Sequence, residues 1–294
     1  EATVEQITAA VTALNDKYWY VVMALLFVAG VWFTIRTVGV QVRMLPEMLR
    51  SVTAGSQKGF ENDGVSPFRA FTISAASRVG TGNIAGVAIA ISVGGPGAVF
   101  WMWVMAFLGA STSYVESTLA QIYKEKDEEG RYRGGPAYYI EKAMGQRWYA
   151  WLFAVVTVIA AGFLMPGVQA NGIASAAFNA WGVPPTATAA IVVIGLGFII
   201  FGGVKRIARF AEVVVPFMAL AYMLIALVIM LLNANALPEM FGLILRSAFG
   251  LEAGIGAVLG LAIEWGVKRG IYSNEAGQGT GPHHAAAAEV SHPA

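Results

Sequence analysis

The seven residues Ser77-Arg78-Val79-Gly80-Thr81-Gly82-Asn83 bring glycine, amide, hydroxyl and guanidinium groups into an otherwise apolar segment. Backbone polar groups in hydrocarbon must be satisfied by the helix itself, unless they line a cavity walled by protein. Two glycines flanking Thr81 make local unwinding cheap, since each costs about 1 kcal/mol in a helix interior. We therefore predict an unwound helix in the middle of a membrane span, with free carbonyl and amide groups facing a small solute or ion. Such a break is typical of transporters.

The two sides of the predicted break offer different ligands. The helix half that begins near Ile84 points the positive end of its dipole at the gap, where a carboxylate can bind. Carbonyl groups released around residues 78–80 suit a hard cation such as Na⁺, and Thr81 and Asn83 add side-chain oxygens. The alternative is a pair of glycines used only for packing, with the Asn83 amide satisfied inside its own helix.

Arg78 is costly inside a membrane span, and such a residue is functional by default. Its candidate partners are Glu116 and Glu264, which lie in two other predicted spans. We favour a gate on the cytoplasmic side over direct contact with a substrate. The alternative, an arginine that snorkels to the inner interface, is equally open.

Two amide side chains, Gln169 and Asn171, lie inside a long apolar run after Pro166-Gly167, which loosens the helix. Gln169 can hydrogen-bond the ammonium or the carboxylate of a substrate. It can equally well make only an amide bond between helices. Both interpretations stay open.

A second glycine-interrupted apolar segment begins at Gly254 and includes Gly256 and Gly260. Its position, five crossings after the first broken span, is where an inverted repeat predicts a matching break. We expect residues 68–234 to form the first repeat and residues 250–294 to begin the second. The later stretch 273–284 lacks the spacing of a metal site or a phosphate loop, and we interpret it as a cytoplasmic connector in an inner gate.

Composition predicts an all-α membrane protein that forms a single transmembrane domain over residues 1–294. Of its 294 residues, 57% are hydrophobic and only 13% are charged, and the mean hydropathy is +0.62. A crossing needs about 20 apolar residues. We predict seven crossings, at 18–35, 68–92, 98–121, 149–176, 186–203, 209–234 and 250–268.

Lys and Arg concentrate in the connections that follow the first, third, fifth and seventh of these crossings, and the alternate connections are nearly free of them. By the positive-inside rule, the N-terminus lies outside the cell. We expect a multi-pass protein of the plasma or inner membrane, with the lipid bilayer as its surroundings.

Other function classes are disfavoured. The net charge of +1 argues against nucleic-acid binding, and the absence of cysteine removes thiolate chemistry. No predicted span contains His or Asp, so an intramembrane enzyme is improbable. The chain starts without Met or a positive n-region and ends in a run of small residues, so we expect a fragment.

At these residues the chain resembles the sodium:alanine symporter family, also called the alanine or glycine:cation symporters. The resemblance covers the chain from about residue 60 to its end. It is carried by four strings: Ser77-Arg78-Val79-Gly80-Thr81-Gly82-Asn83-Ile84-Ala85-Gly86, Gly94-Gly95-Pro96-Gly97-Ala98-Val99-Phe100-Trp101-Met102-Trp103, Arg133-Gly134-Gly135-Pro136-Ala137-Tyr138-Tyr139-Ile140 and Arg269-Gly270-Ile271-Tyr272-Ser273-Asn274-Glu275-Ala276-Gly277.

The resemblance implies a five-plus-five inverted-repeat fold with one extra N-terminal helix and an incomplete second repeat. It implies Na⁺- or H⁺-driven uptake of a small neutral amino acid, alanine or glycine, with no cofactor besides the coupling ion, Na⁺ first. We expect a monomer. The implied substrate contacts are Thr81, Gly82 and Gln169, and the implied Na⁺ site is at Val79 and Asn83. From the second glycine-interrupted segment we add Gly254 and Gly256 as expected substrate contacts, and from the charges in the spans a gate of Arg78, Glu116 and Glu264.

Two rival functions stay open at this stage. A passive channel would use the Gly-x-Gly carbonyls as a filter, although such filters usually need several symmetric copies. The second rival is a fragment without transport activity, because in the related fold a later helix supplies some of the sodium ligands.

Overall fold

The computed structural model describes residues 2–54, 67–128, 130–250, 256–290 and 292, and in these ranges it is built almost entirely from α-helices. The helices are α1 (Ala2–Arg36), α2 (Val40–Arg43), α3 (Leu45–Ala54), α4 (Pro67–Arg78), α5 (Thr81–Gly94), α6 (Gly97–Ile122), α7 (Pro136–Met144), α8 (Arg147–Ile159), α9 (Met165–Trp181), α10 (Pro185–Ile200), α11 (Gly203–Leu232), α12 (Leu237–Ala248), α13 (Gly256–Asn274) and α14 (Gly281–Ala287).

Three short elements complete the described part. A π-helical turn, Ala160–Leu164, joins α8 to α9, and a 3-10 turn, Ala234–Ala236, precedes α12. Strands β1 (Glu125–Lys126) and β2 (Tyr132–Arg133) pair antiparallel in a small hairpin after α6.

Among the described residues, four helices are long and apolar enough to cross a bilayer: Thr3–Arg36, Gly97–Ile122, Arg147–Trp181 and Arg209–Leu232. The bent pair α4 and α5 forms a fifth candidate crossing, and α10 is apolar but shorter. The prediction of a multi-pass, all-α membrane protein is confirmed at this level.

Some helices extend beyond the predicted crossings. The first helix begins at Ala2, ahead of the crossing predicted from residue 18, and α13 runs on to Asn274, past the predicted end of a crossing at 268. Gly254 lies outside the described residues, but Gly256 and Gly260 belong to the continuous helix α13. The expected interruption is therefore absent from the described part of 254–260, because a helical glycine costs only about 1 kcal/mol, which packing readily offsets.

Helix α13 packs closely on α6, and two glycines make this approach possible. A methyl group at Gly266 would lie 2.5 Å from the carbonyl oxygen of Ala98, and one at Gly270 would lie 2.7 Å from Cβ of Met105. Farther along, the Asn274 amide donates to the Met105 carbonyl oxygen at 3.0 Å. These contacts follow both helices in the same order, so α6 and α13 run in the same direction.

Helix α5 runs the opposite way along α13. A Cβ at Gly82 would meet the ring of Tyr272, and a Cβ at Gly94 would lie 2.9 Å from the carbonyl oxygen of Leu261. The start of α5 is therefore beside the end of α13. This antiparallel pair positions the candidate site.

Candidate functional site

The first break lies between α4 and α5, which are bent by 40° where they meet. Val79 and Gly80 are not helical, and Gly80 has an extended backbone with φ −139° and ψ −170°. Thr81 already forms the first turn of α5, so the interruption begins slightly before the position expected from the sequence. The break is near the middle of the pair, which has 12 residues on one side and 14 on the other.

Gln169 of α9 lies against this break. Its Oε1 accepts hydrogen bonds from the backbone nitrogen of Thr81 at 3.1 Å and from the Thr81 hydroxyl at 2.7 Å. A methyl group at Gly80 would lie 3.0 Å from the Gln169 amide nitrogen, and one at Gly172 would lie 2.7 Å from Cγ2 of Thr81. An oxygen thus already satisfies an amide at the start of α5, where a carboxylate was expected to bind.

The local structure of α9 helps to place Gln169. The π-helical turn Ala160–Leu164 comes directly before Pro166, whose ring cannot donate to the helix. π-turns are rare and often occur at functional sites. Gln169 was expected either to bind substrate or to make a bond between helices, and the structure contains the bond between helices. The donor is the Thr81 amide, at which a substrate carboxylate was also expected.

Asn83 and Arg78 are joined across the break. The Asn83 amide nitrogen donates to the carbonyl oxygen of Arg78, one of the carbonyl groups expected to be released by unwinding. The backbone nitrogen of Asn83 donates to the Gly80 carbonyl oxygen at 3.0 Å. Val79, between them, is 36% exposed. The two residues expected at the Na⁺ site, Val79 and Asn83, are thus brought together with backbone oxygens.

A second break separates α13 from α14. Glu275, Gly277 and Gly279 all have positive φ, at 54°, 80° and 80°, and a non-glycine residue in this region is uncommon. The segment interpreted from the sequence as a cytoplasmic connector in an inner gate also separates two helices, since a new helix begins at Gly281. The signal in the sequence was the alternation of glycines before Pro282, since proline favours the first turn of a helix.

The two breaks lie next to each other. The Ser77 hydroxyl lies 3.4 Å from Oε2 of Glu275, and a methyl group at Gly281 would lie 2.7 Å from Nη2 of Arg78. Beyond the breaks, α14 packs on both α4 and α6. The structure therefore contains two antiparallel broken helices whose irregular segments touch.

Glu116 of α6 stabilises the second break. Its Oε2 accepts a hydrogen bond from the Gly277 nitrogen at 2.9 Å. Arg78 donates a hydrogen bond from Nη1 to the Ser74 hydroxyl at 3.1 Å and one from Nη2 to the Ser113 hydroxyl at 3.4 Å. Within the described ranges, no ion pair joins Arg78 to Glu116 within 4 Å, and Nε of Arg78 is buried without a partner.

Glu264 lies elsewhere. It pairs with Lys268 on the same helix at 2.6 Å and accepts a hydrogen bond from the Tyr20 hydroxyl at 3.1 Å. On α13, Glu264 lies between Leu261 and Trp265, which pack on Gly94. Gly94 ends α5 on the side away from Arg78. The structure therefore does not bring Glu264 to Arg78, because the i,i+4 lysine is its partner.

Gly256 is also far from the first break. It starts α13, whereas Tyr272 of the same helix packs on Gly82. At 1.5 Å per residue, the helix carries these two positions about 24 Å apart. One small solute cannot contact both Gly82 and Gly256.

Helices α7 and α8 cover the second break. A methyl group at Gly279 would lie 2.6 Å from Cζ of Phe153, and the Phe153 ring stacks on His283 with centroids 6.4 Å apart. Burial, with a contribution from the Glu116 charge, raises the pKa of the Tyr139 hydroxyl on α7. Tyr139 therefore remains a protonated hydroxyl near that carboxylate.

Comparison by sequence relates the chain to known proteins. A sequence model of the sodium:alanine symporter family matches residues 4–294. The chain is 57% identical, over 96% of its own length and 58% of the relative's, to the putative sodium/proton-dependent alanine carrier protein YrbD of Bacillus subtilis.

Two further relatives carry different substrate names. The chain is 48% identical to the probable sodium/glutamine symporter GlnT of Bacillus subtilis, over 95% of its length and 58% of the relative's. It is 40% identical to the sodium/alanine symporter AgcS of Methanococcus maripaludis, over 96% and 64%. The chain spans about three fifths of the length of these relatives. With the family model matched over nearly its whole length, the chain belongs to the sodium:alanine symporter family.

Proposed function

We propose that the protein containing this chain is a secondary active transporter that couples entry of a small neutral amino acid to a cation gradient. Na⁺ is the proposed coupling ion and alanine the first proposed substrate, with glycine next. The adjacent breaks of two antiparallel helices are the observation that carries the proposal, since backbone dipoles freed at such breaks can hold a zwitterion and its driving ion. The names of the relatives support the same class of substrate.

The substrate carboxylate would bind at the start of α5. In this proposal it takes the backbone nitrogens of Thr81 and Gly82, and Gln169 turns away from Thr81 to admit it. A positive helix end favours an anion by up to about 2 kcal/mol in partly buried geometry. Because the Tyr272 ring lies against Gly82, the space there suits a small side chain.

The cation would bind on the other side of the same break. Carbonyl oxygens near Val79 and the side chain of Asn83 would hold Na⁺, after Asn83 releases the Arg78 carbonyl oxygen. Binding of the ion would order the break and raise its affinity for the amino acid. By linkage, the amino acid raises the affinity for the ion by the same factor.

Arg78 and Glu116 are the proposed gate. Both lie at the contact of the two breaks and have separate partners, so that a change in the relative position of the broken helices would bring them together. The repeat boundaries, the outward N-terminus, the location in the cell membrane and the monomeric state belong to the same proposal.

Uptake of labelled alanine by the intact protein in liposomes tests this function. Gradients of Na⁺, Li⁺ and H⁺ are applied separately, with unlabelled glycine and glutamine as competitors. We expect saturable uptake driven by the Na⁺ gradient and inhibited most strongly by small neutral amino acids. An alanine flux that rises linearly with alanine concentration and does not depend on any of the three gradients would instead support a passive channel.

A further inference from the structure

Glu275 is a buried carboxylate at the contact between the two breaks. Its residue is 5% exposed, and its backbone has the left-handed φ of 54°. A non-glycine residue in this conformation stores strain that is retained mainly where function needs it. Contacts with the surrounding helices must therefore hold Glu275 in this conformation, because its own backbone does not favour it.

The carboxylate lacks a direct cationic partner. In the described ranges, no Lys, Arg or His nitrogen lies within 4 Å of its oxygens. Burial of a charge is expensive unless it is paired. Arg78 is the nearby cation, but its terminal nitrogens are directed to Ser74 and Ser113.

Two hydroxyl groups converge on the same carboxylate oxygen. The Thr280 hydroxyl donates to Oε2 of Glu275 at 2.8 Å, and the Ser77 hydroxyl lies 3.4 Å away. The Ser77 hydrogen has a nearer acceptor, the Ser74 carbonyl oxygen at 2.9 Å. Glu275 thus has one firm hydrogen bond, while a hydroxyl from its own break and one from α4 both lie within 3.5 Å of its Oε2.

The charges at the contact leave room for one monovalent cation. Two carboxylates, Glu116 and Glu275, and one guanidinium, Arg78, leave a single negative charge uncompensated. Bound Na⁺ would balance the charge, and a divalent ion would exceed it.

We propose that Glu275, Thr280 and Ser77 form a binding site for Na⁺ that is separate from the one at Val79 and Asn83. Hydroxyl and carboxylate oxygens are the ligands that hard cations prefer. Thr280 and Glu275 bound the second break, and Ser77 closely precedes the first. Occupancy of this site therefore ties the two broken helices together.

Binding of ²²Na⁺ to the purified intact protein, without any amino acid, tests this site. We expect Glu275→Gln, which keeps the shape and removes the charge, to release one bound Na⁺ per molecule. Thr280→Val keeps the charge and removes a ligand, and we expect it to weaken Na⁺ binding at this site about tenfold. The exposed Glu239→Gln on α12 is the matched control and keeps the full number of bound ions.

Several results would overturn the site. One is wild-type protein that binds Na⁺ only at a single site, removed by Asn83→Ala and untouched by Glu275→Gln. Another is a Glu275→Gln variant that alters the pH dependence of binding but not the number of Na⁺ ions, since this would indicate a proton site. If Glu275→Gln fails to elute as folded protein, Thr280→Val decides, and unchanged Na⁺ affinity in that variant rejects the proposal. The measurement contains no amino acid, so it is independent of the proposed substrate.

Discussion

Oε1 of Gln169 accepts hydrogen bonds from both the backbone nitrogen and the hydroxyl of Thr81, at 3.1 and 2.7 Å. A side-chain oxygen from α9 thus occupies the amide end of α5 in this state. If a substrate carboxylate uses the same amide, Gln169 and the substrate exclude each other there. The affinity for substrate then depends on how tightly Gln169 holds its place.

A negative charge at Gln169 should compete with substrate. Gln169→Glu places a carboxylate at the start of α5, where the helix dipole stabilises it by up to about 2 kcal/mol, so we expect KM for alanine to rise about tenfold. Gln169→Ala loses the contact without adding a competitor and should raise KM less. Initial rates of alanine uptake measure both. Gln146→Glu, at an exposed position, is the control, and an equal effect in Gln169→Glu and Gln169→Ala would contradict the competition.

Gly82 should tolerate no side chain. A methyl group there would lie 2.4 Å from Cε1 of Tyr272, so Gly82→Ala must displace that ring or the α5 backbone. Overpacking of this kind costs about 1–3 kcal/mol. We expect a lower melting temperature and impaired uptake, with partial recovery in the Gly82→Ala, Tyr272→Ala double variant. Gly195→Ala, which meets open space, should behave as wild type. Full activity of Gly82→Ala would argue against a tight substrate site at this contact.

Glu116 should act mainly as an acceptor for the Gly277 amide of the second break. Glu116→Gln retains an oxygen for the Gly277 nitrogen, whereas Glu116→Ala leaves that amide without its partner. Loss of one hydrogen bond of this kind costs about 0.5–1.5 kcal/mol. The melting temperature, measured by tryptophan fluorescence, should therefore be higher for the wild type and for Glu116→Gln than for Glu116→Ala. A Gln variant as unstable as Ala would mean that the charge, rather than the acceptor, holds the break.

The gate hypothesis gives a separate expectation for the charges of Arg78 and Glu116. If the two pair in another state of the cycle, the exchanged double variant Arg78→Glu, Glu116→Arg should transport better than either single variant. Alanine uptake in liposomes measures this. Double-variant uptake no better than that of the single variants would count against the pairing.

Membrane orientation can be tested with introduced cysteines, because this part of the protein contains none of its own. We expect Glu128→Cys, in the hairpin after α6, to be protected from a membrane-impermeant maleimide on intact cells. Asn235→Cys, before α12, should be labelled. The opposite pattern would place the N-terminus inside.

The sequence predicted the first break because glycine, arginine and asparagine together are out of place in an apolar span. It predicted the long helices from hydropathy alone. It did not identify the second break, since glycine spacing does not distinguish glycines that pack from those that unwind. Gly266 and Gly270 allow close contact with α6, whereas Gly277 and Gly279 take positive φ. The decisive residue, Glu275, is not a glycine, and only the coordinates show its strained backbone.

The partners of charged residues were also hard to predict from sequence. Glu264 has a lysine one helical turn away, and this local pair excludes the distant Arg78. Glu116, by contrast, contacts backbone amides of a segment far along the chain. Such contacts depend on which ends of α5, α6 and α13 meet, and hydropathy does not contain that information.

Hydrogen–deuterium exchange of the intact protein at residues 79–82 and 275–280 tests the proposed substrate site most directly. Exchange is compared in buffer, with Na⁺, with alanine, and with both ligands together. We expect both segments to gain protection together, most strongly when both ligands are present. Saturable alanine binding that leaves exchange at both segments unchanged would show that the adjacent breaks do not hold the substrate.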